Sequence, residues 1–330
     1  MVRFGHFSYL MYSMHNKRIA VILLNMGGPT RLEDVRPFLY NIFSDREIIR
    51  LGPPLLQKPI AWYIARKRAP KSMDIYRHIG GGSPITEITR QQQDALEKAL
   101  TNDGDFIVTT AMRYWKPTSA SAVEFIRSKQ AASVVALSLY PHFSCATSGS
   151  SIKELKRHLD LENRELTEIA SWPTQPDYID CLAAKIIDGL SRFNRQTVEI
   201  VYSAHSLPVS FIEEGDPYVE HLNQTIAAVE NITGERGRLC YQSRSGPVEW
   251  LSPSTPEMIE KLAADGCRNI LMVPISFVSD HVETLYEINI QYKELAASHN
   301  IRLQATESLN TDPRFIEGLR QLVLSSLPND

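Results

Sequence analysis

The chain is short of cysteine and has no pair of cysteines close together. Its four, Cys145, Cys181, Cys240 and Cys267, form no CxxC motif in 330 residues. That spacing excludes a zinc ribbon and a disulfide framework, and it fits a reducing compartment. Excess positive charge is also missing. With 35 Lys and Arg against 38 Asp and Glu the net charge is −3, so any basic patch must be local and nucleic acid is not an expected partner. No apolar run approaches the ~20 residues of a membrane span. The opening MVRFGHFSYLMYSMHNK has polar residues where a signal peptide needs an unbroken apolar stretch, which points to the cytoplasm. Met11 and Met14 fall just before the first strand-like segment, so residues 1–17 read as a tail or an over-extended start without function.

At 330 residues the chain exceeds what one hydrophobic core usually supports, and two units are expected. Runs rich in β-branched residues alternate with amphipathic stretches of helical period, the pattern of βα units and a parallel sheet. Strands are predicted at 18–24, 106–112, 133–138 and 166–169, then at 198–202, 238–242, 269–275 and 302–305. The fold class is therefore α/β: two similar Rossmann-like lobes, each a four-stranded parallel sheet flanked by helices, with a cleft between them. The predicted boundaries are an N-terminal lobe at 18–190, a C-terminal lobe at 191–310, and a helix in 311–330 that packs back on the first lobe. About eighty residues separate the first two strands, far more than a crossover needs, and an insertion at 51–71 is read within them.

Open parallel sheets bind ligands beyond the carboxyl ends of their strands, so chemistry is sought there. SAHSLP follows strand 198–202 and places His205 at the strand end on a turn fixed by Pro208, with Gly215, Asp216 and Pro217 forming a turn before the next helix. After strand 269–275, Asp280 is a candidate helix N-cap and Glu283 stands three residues on, as in a capping box. Glu283, Glu287 and Gln291 also share one stripe of that helix, opposite Val282, Leu285, Ile288 and Tyr292. By spacing alone the stripe is a solvated face. Its position after a strand of the same small sheet as His205 favours a shared cleft instead. Imidazole and carboxylate are both suitable ligands for a first-row divalent metal and suitable proton acceptors.

LLNMGGP at 23–29, IGGGSPI at 79–85, MRY at 112–114, LYPHFSCATSGSS at 139–151, YSAHSLP with EEGDPY, YQSRSGPVEWLSPST at 241–255 and SDHVETLYE occur in one order along the chain. Together they closely resemble the ferrochelatase family, from about residue 18 to 310. The resemblance implies insertion of Fe2+ into protoporphyrin IX to give protohaem, with no organic cofactor and with iron as the substrate metal. It implies that His205 and Glu283 bind the metal or accept the pyrrole protons, with Asp280, His281 and Glu287 as a supporting polar relay. Met26, Arg113 and Tyr114 correspond to the opposite porphyrin face, and Trp250 and Phe277 to its aromatic walls. Relatives acting on coproporphyrin typically carry tyrosine at the Met26 position, so methionine favours protoporphyrin.

The 51–71 segment resembles the family's active-site lip. Leu55 and Ile60 beside Arg66 and Arg68 suit an apolar macrocycle with propionates, or peripheral contact with the inner face of a membrane. IGGGSPI lacks the strand, spacing and lysine of a nucleotide loop and reads as a tight backbone turn. Cys145 matches a cysteine that helps hold an iron–sulfur cluster in some relatives, but their C-terminal cysteine group is missing, so no cluster is expected. Assembly is left as monomer or homodimer. The competing readings are a chelatase for coproporphyrin or another metal, and a two-lobed porphyrin or haem carrier without catalysis.

Overall fold

A computed structural model describes residues 18–160, 164–194 and 196–328, so the expected tail at 1–17 lies outside the described residues. Among the described residues, eight strands form two all-parallel sheets. Ile19–Asn25 (β1), Phe106–Met112 (β2), Ser133–Ser138 (β3) and Glu165–Ile169 (β4) make the first, in the order β2-β1-β3-β4. Glu199–His205 (β5), Gly237–Gln242 (β6), Asn269–Pro274 (β7) and Arg302–Ala305 (β8) make the second, in the order β6-β5-β7-β8. The two halves thus repeat one topology, as expected. In each, the first strand of the half is central and leaves its carboxyl end next to a neighbour's.

Alternation along the strands explains how each sheet is covered on both sides. On β1, Ala20, Ile22 and Leu24 face the helices Ser119–Ser128 and Ser150–Lys156, while Val21 and Leu23 belong to a larger core shared by both halves. On β7, Ile270 and Met272 face the helix Thr255–Ala264, while Leu271 and Val273 join the same shared core. The shared core is filled from the helices Pro176–Ser191, Tyr218–Thr233 and Pro313–Ser325 by residues such as Ile186, Leu222 and Phe315. Pro313–Ser325 packs on Pro176–Ser191 and on Ile85–Ala99.

Between β1 and β2 the chain runs through the helix Val35–Ser44, a single 3-10 turn at Pro54–Leu56 and the 22-residue helix Gln57–His78. Ala61 and Ala65, one turn apart, let this long helix sit close against Phe43. Its other face carries Trp62 and Tyr63, both exposed. No helix among the described residues is long and apolar enough to cross a membrane.

Candidate active site

β5 continues through Ser203, Ala204 and His205, so His205 is the last strand residue, in register with Gln242 at the end of β6. The turn expected at His205 begins one residue later. The backbone of His205 is held from both sides: its N–H donates to Ser276 Oγ (2.7 Å) and its carbonyl accepts from Tyr218 Oη (3.0 Å), itself 2.8 Å from Ser276 Oγ. Tyr218 belongs to the GDPY segment, where Gly215 takes a positive φ of 94° that closes the turn. Asp216 reaches into the first half of the chain, where Ser144 Oγ (2.9 Å) and Cys145 N–H (2.7 Å) donate to its Oδ2. One short motif therefore fixes the His205 backbone and links the two halves.

Glu283 begins a π-helix, Glu283–Tyr292, a rare geometry found mostly at functional sites. Its side chain differs from the expected capping box. Glu283 Oε1 meets His205 Nδ1 at 2.9 Å, and Gln242 Nε2 donates to Oε2 at 2.8 Å. Glu283 is 7% exposed, whereas 35% of the His205 side chain is open. Burial alone would raise the Glu283 pKa, but the His205 ring, with His281 behind it, holds the carboxyl well below its ordinary range. Burial alone would lower the His205 pKa, and the Glu283 carboxylate overrides it and raises it. Burial, reinforced by Glu283, pushes Glu287 up to about 7. Ser243 Oγ donates to Glu287 Oε2 at 2.6 Å. The stripe is therefore turned inward at Glu283 and exposed only at Gln291.

The expected relay divides. His281 is 1% exposed, its Nδ1 lies 3.0 Å from the Ser279 carbonyl, and its Nε2 lies 3.8 Å from Glu283 Oε2 without a hydrogen bond. Asp280 instead accepts from Thr284 Oγ1 (3.0 Å), Ser308 Oγ (2.7 Å) and Asn310 Nδ2 (2.8 Å), which pins the start of the π-helix to the segment after β8. Phe277 packs against His281 (4.1 Å between centroids) and stands edge-on to His205 (6.3 Å) and to Tyr140 of the first half (5.9 Å). Burial, reinforced by the Glu283 charge and opposed by Arg113, raises the Tyr140 pKa.

On the first sheet, Met26 is half-buried just beyond β1, and its carbonyl accepts from Tyr114 N–H at 3.0 Å. Arg113 and Tyr114 converge on a residue that sequence reasoning missed. Asp45 Oδ2 accepts from Arg113 Nη2 (2.7 Å), Tyr114 Oη (2.7 Å) and Ser150 Oγ (2.8 Å). Burial opposes the Asp45 charge, yet Tyr114 and Arg113 keep its pKa lowered. Gln242, Tyr218, Ser276 and Ser150 were also missed, although the first two and Ser150 lie inside segments already singled out.

In the lip, Leu55 is 91% exposed and Ile60 partly buried. Arg66 and Arg36 lie over the Trp62 ring at 5.7 and 5.3 Å. Arg68 Nη1 donates to Ser245 Oγ (2.6 Å), and His78 packs on Tyr286 (5.5 Å), so the long helix touches the second half. Trp250 is half-exposed beyond β6, its indole N–H directed at the Gly246 carbonyl (3.4 Å). IGGGSP does form a tight turn: Gly81 N–H donates back to the Tyr76 carbonyl (2.8 Å) with Gly80 and Gly81 at positive φ. The segment lies against the loop beyond β1, where Ser83 N–H donates to the Pro29 carbonyl (2.7 Å) and a Cβ on Gly82 would fall 2.3 Å from the Thr30 carbonyl oxygen. Cys145 is exposed while Cys181 and Cys240 are buried, with burial pushing their thiols up to about 12 and about 11.

The Ferrochelatase family profile matches residues 18–327. A ferrochelatase of Desulfotalea psychrophila is 61% identical over 318 residues, covering 96% of this chain and 99% of its own. One of Geotalea uraniireducens is 52% identical over 319 residues, covering 95% and 99%. Among solved structures, SirB from Bacillus subtilis with Fe3+ aligns with a TM-score of 0.54 at 11% identity over 94% of this chain and 95% of SirB, a likeness of fold alone. The motifs, the paired parallel sheets and these matches agree: the chain belongs to the ferrochelatase family.

Proposed function

We propose that this protein is a porphyrin metal chelatase that inserts Fe2+ into protoporphyrin IX with release of two protons, and that His205 and Glu283 carry the reaction. The observation that carries the reading is the 2.9 Å contact between a nearly buried Glu283 and the Nδ1 of a His205 whose ring is one-third open. With Nδ1–H donated to the carboxylate, the Nε2 lone pair is left as the acceptor for a pyrrole proton or as a ligand for incoming iron. The imidazolium formed on proton uptake is stabilised by the adjacent carboxylate, in line with its raised pKa. His281 and Glu287 supply further polar groups on the Glu283 side, and Asp280 supports the helix that carries them.

In this reading residues 18–190 and 191–310 act as the two walls of the cleft, and the helix Pro313–Ser325 braces them. Met26, Arg113 and Tyr114 line one porphyrin face, Trp250 and Phe277 the edges. Puckering the flat ring so that a metal reaches its nitrogens draws on contacts remote from the reacting centre. Exposed Leu55, Trp62 and Tyr63 beside Arg66 and Arg68 form a peripheral membrane contact from which an apolar substrate is drawn.

An anaerobic assay with Fe2+ tests the reading by comparing loss of free-porphyrin fluorescence for protoporphyrin IX and coproporphyrin III. Faster turnover of protoporphyrin is expected. Faster turnover of coproporphyrin would overturn the substrate assignment, and tight binding without insertion would favour a carrier.

A further inference from the structure

Glu283 has two oxygens, and only one faces His205. The other accepts from Gln242 Nε2 at 2.8 Å, and Gln242 Oε1 in turn accepts from Ser203 Oγ at 2.6 Å. Gln242 is 3% and Ser203 1% exposed. Gln242 ends β6 directly opposite His205, and its carbonyl accepts from Ser206 N–H at 2.9 Å. Two neighbouring strand ends therefore hold one carboxylate, an imidazole on one oxygen and a primary amide on the other.

The amide suits that place. A carboxylate removed from water needs donors on both oxygens. A second cation would compete with His205 for the charge, whereas an amide donates without one. A primary amide has two faces, and its orientation must be fixed if the N–H side is to meet the carboxylate. The Ser203 hydroxyl does this by donating to Oε1. Ser203 is itself set by the strand, since its carbonyl accepts from Ile275 N–H at 3.1 Å. The buried Gln242 side chain donates from its nitrogen to Glu283 and accepts at its oxygen from Ser203, so its amide is directed at the carboxylate.

From this geometry we infer that Gln242, oriented by Ser203, is a positioning residue for metal insertion: it holds the Glu283 carboxylate in the rotamer that meets His205. The inference rests on the role proposed above for Glu283. Losing one charge-assisted hydrogen bond that orients a reacting group lowers the rate about tenfold or more.

The test uses the full chain with Fe2+ and protoporphyrin IX under anaerobic conditions. Gln242→Met keeps the length and volume of the side chain and removes its donor, Ser203→Ala removes only the hydroxyl, and each is combined with Glu283→Gln. Gln242→Met is expected to lower kcat about tenfold or more with the KM for porphyrin within about twofold. Ser203→Ala is expected to act in the same direction more weakly. In the Glu283→Gln background neither should lower the rate further, because the carboxylate they position is gone. Near-normal kcat in Gln242→Met, or losses that add to that of Glu283→Gln, would overturn the inference while leaving the role of Glu283 standing. Full activity in Glu283→Gln alone would instead overturn the role of Glu283 itself.

Discussion

Replacing Asp45 with alanine removes the acceptor on which Arg113, Tyr114 and Ser150 converge, all at 2.7–2.8 Å. The Asp45 side chain is 6% and that of Arg113 14% exposed, so the guanidinium would be left with little water to replace its partner. Breaking a buried ion pair from one side costs about 3–5 kcal/mol, and we expect roughly 3 kcal/mol because Glu154 Oε2, 4.0 Å from Arg113 Nη1, offers partial compensation. Asp45→Asn keeps the shape and loses the charge, and should cost less. Urea unfolding followed by circular dichroism measures both. The pH dependence gives a second check. The Asp45 pKa is lowered on folding, so its contribution is fully present above the ordinary value of 3.8 and is lost as pH falls through the lowered one. The gap between wild type and Asp45→Asn should therefore be complete at pH 7 and shrink below about pH 4. A loss under about 1 kcal/mol in Asp45→Ala at pH 7 would refute the reasoning, because one unpaired buried charge alone should exceed it.

His142 is 1% exposed, and burial, with His221 nearby, lowers its pKa to about 3. The unfolded chain takes up the proton first, so stability is lost as pH falls from about 6.5 toward about 3, and His142→Gln should reduce the loss between pH 7 and pH 5 by about 2 kcal/mol in urea titrations. Glu287 shows the opposite sign: its pKa is raised to about 7, so stability present below 4.5 is lost as pH rises through about 7. Glu287→Gln, which mimics the protonated group, should raise the melting temperature at pH 8.5 and leave it unchanged at pH 4; an equal effect at both would contradict this. Leu55→Ser with Trp62→Ser should abolish co-sedimentation with anionic vesicles while leaving turnover of detergent-dispersed porphyrin intact, and unchanged sedimentation would exclude the lip as the contact.

The strands were legible where β-branched runs stop abruptly: 106–112 and 133–138 agree with β2 and β3 residue for residue, and 302–305 agrees with β8 although RLQA has no β-branched residue. β5 was predicted three residues short because Ser203, Ala204 and His205 have no apolar signature, and pairing with β6 extends the strand. The π-helix was not legible, since over ten residues its wider turn leaves the same carboxylate stripe as an α-helix. Asp45 was invisible for a different reason. Its partner Arg113 lies 68 residues away and joins it only when the loops beyond β1 and β2 come together. Gln242 and Tyr218 sat inside noticed motifs, but only the register of β5 against β6 and the turn at Gly215 reveal what they hold.

The central claim is that His205 and Glu283 perform the insertion together. Single-turnover insertion of Fe2+ into protoporphyrin IX, measured for wild type, His205→Ala and Glu283→Gln alongside porphyrin binding by fluorescence quenching, tests it most directly. Loss of about a hundredfold or more in each variant with binding retained is the expected result. Insertion near the wild-type rate in either variant would contradict the account.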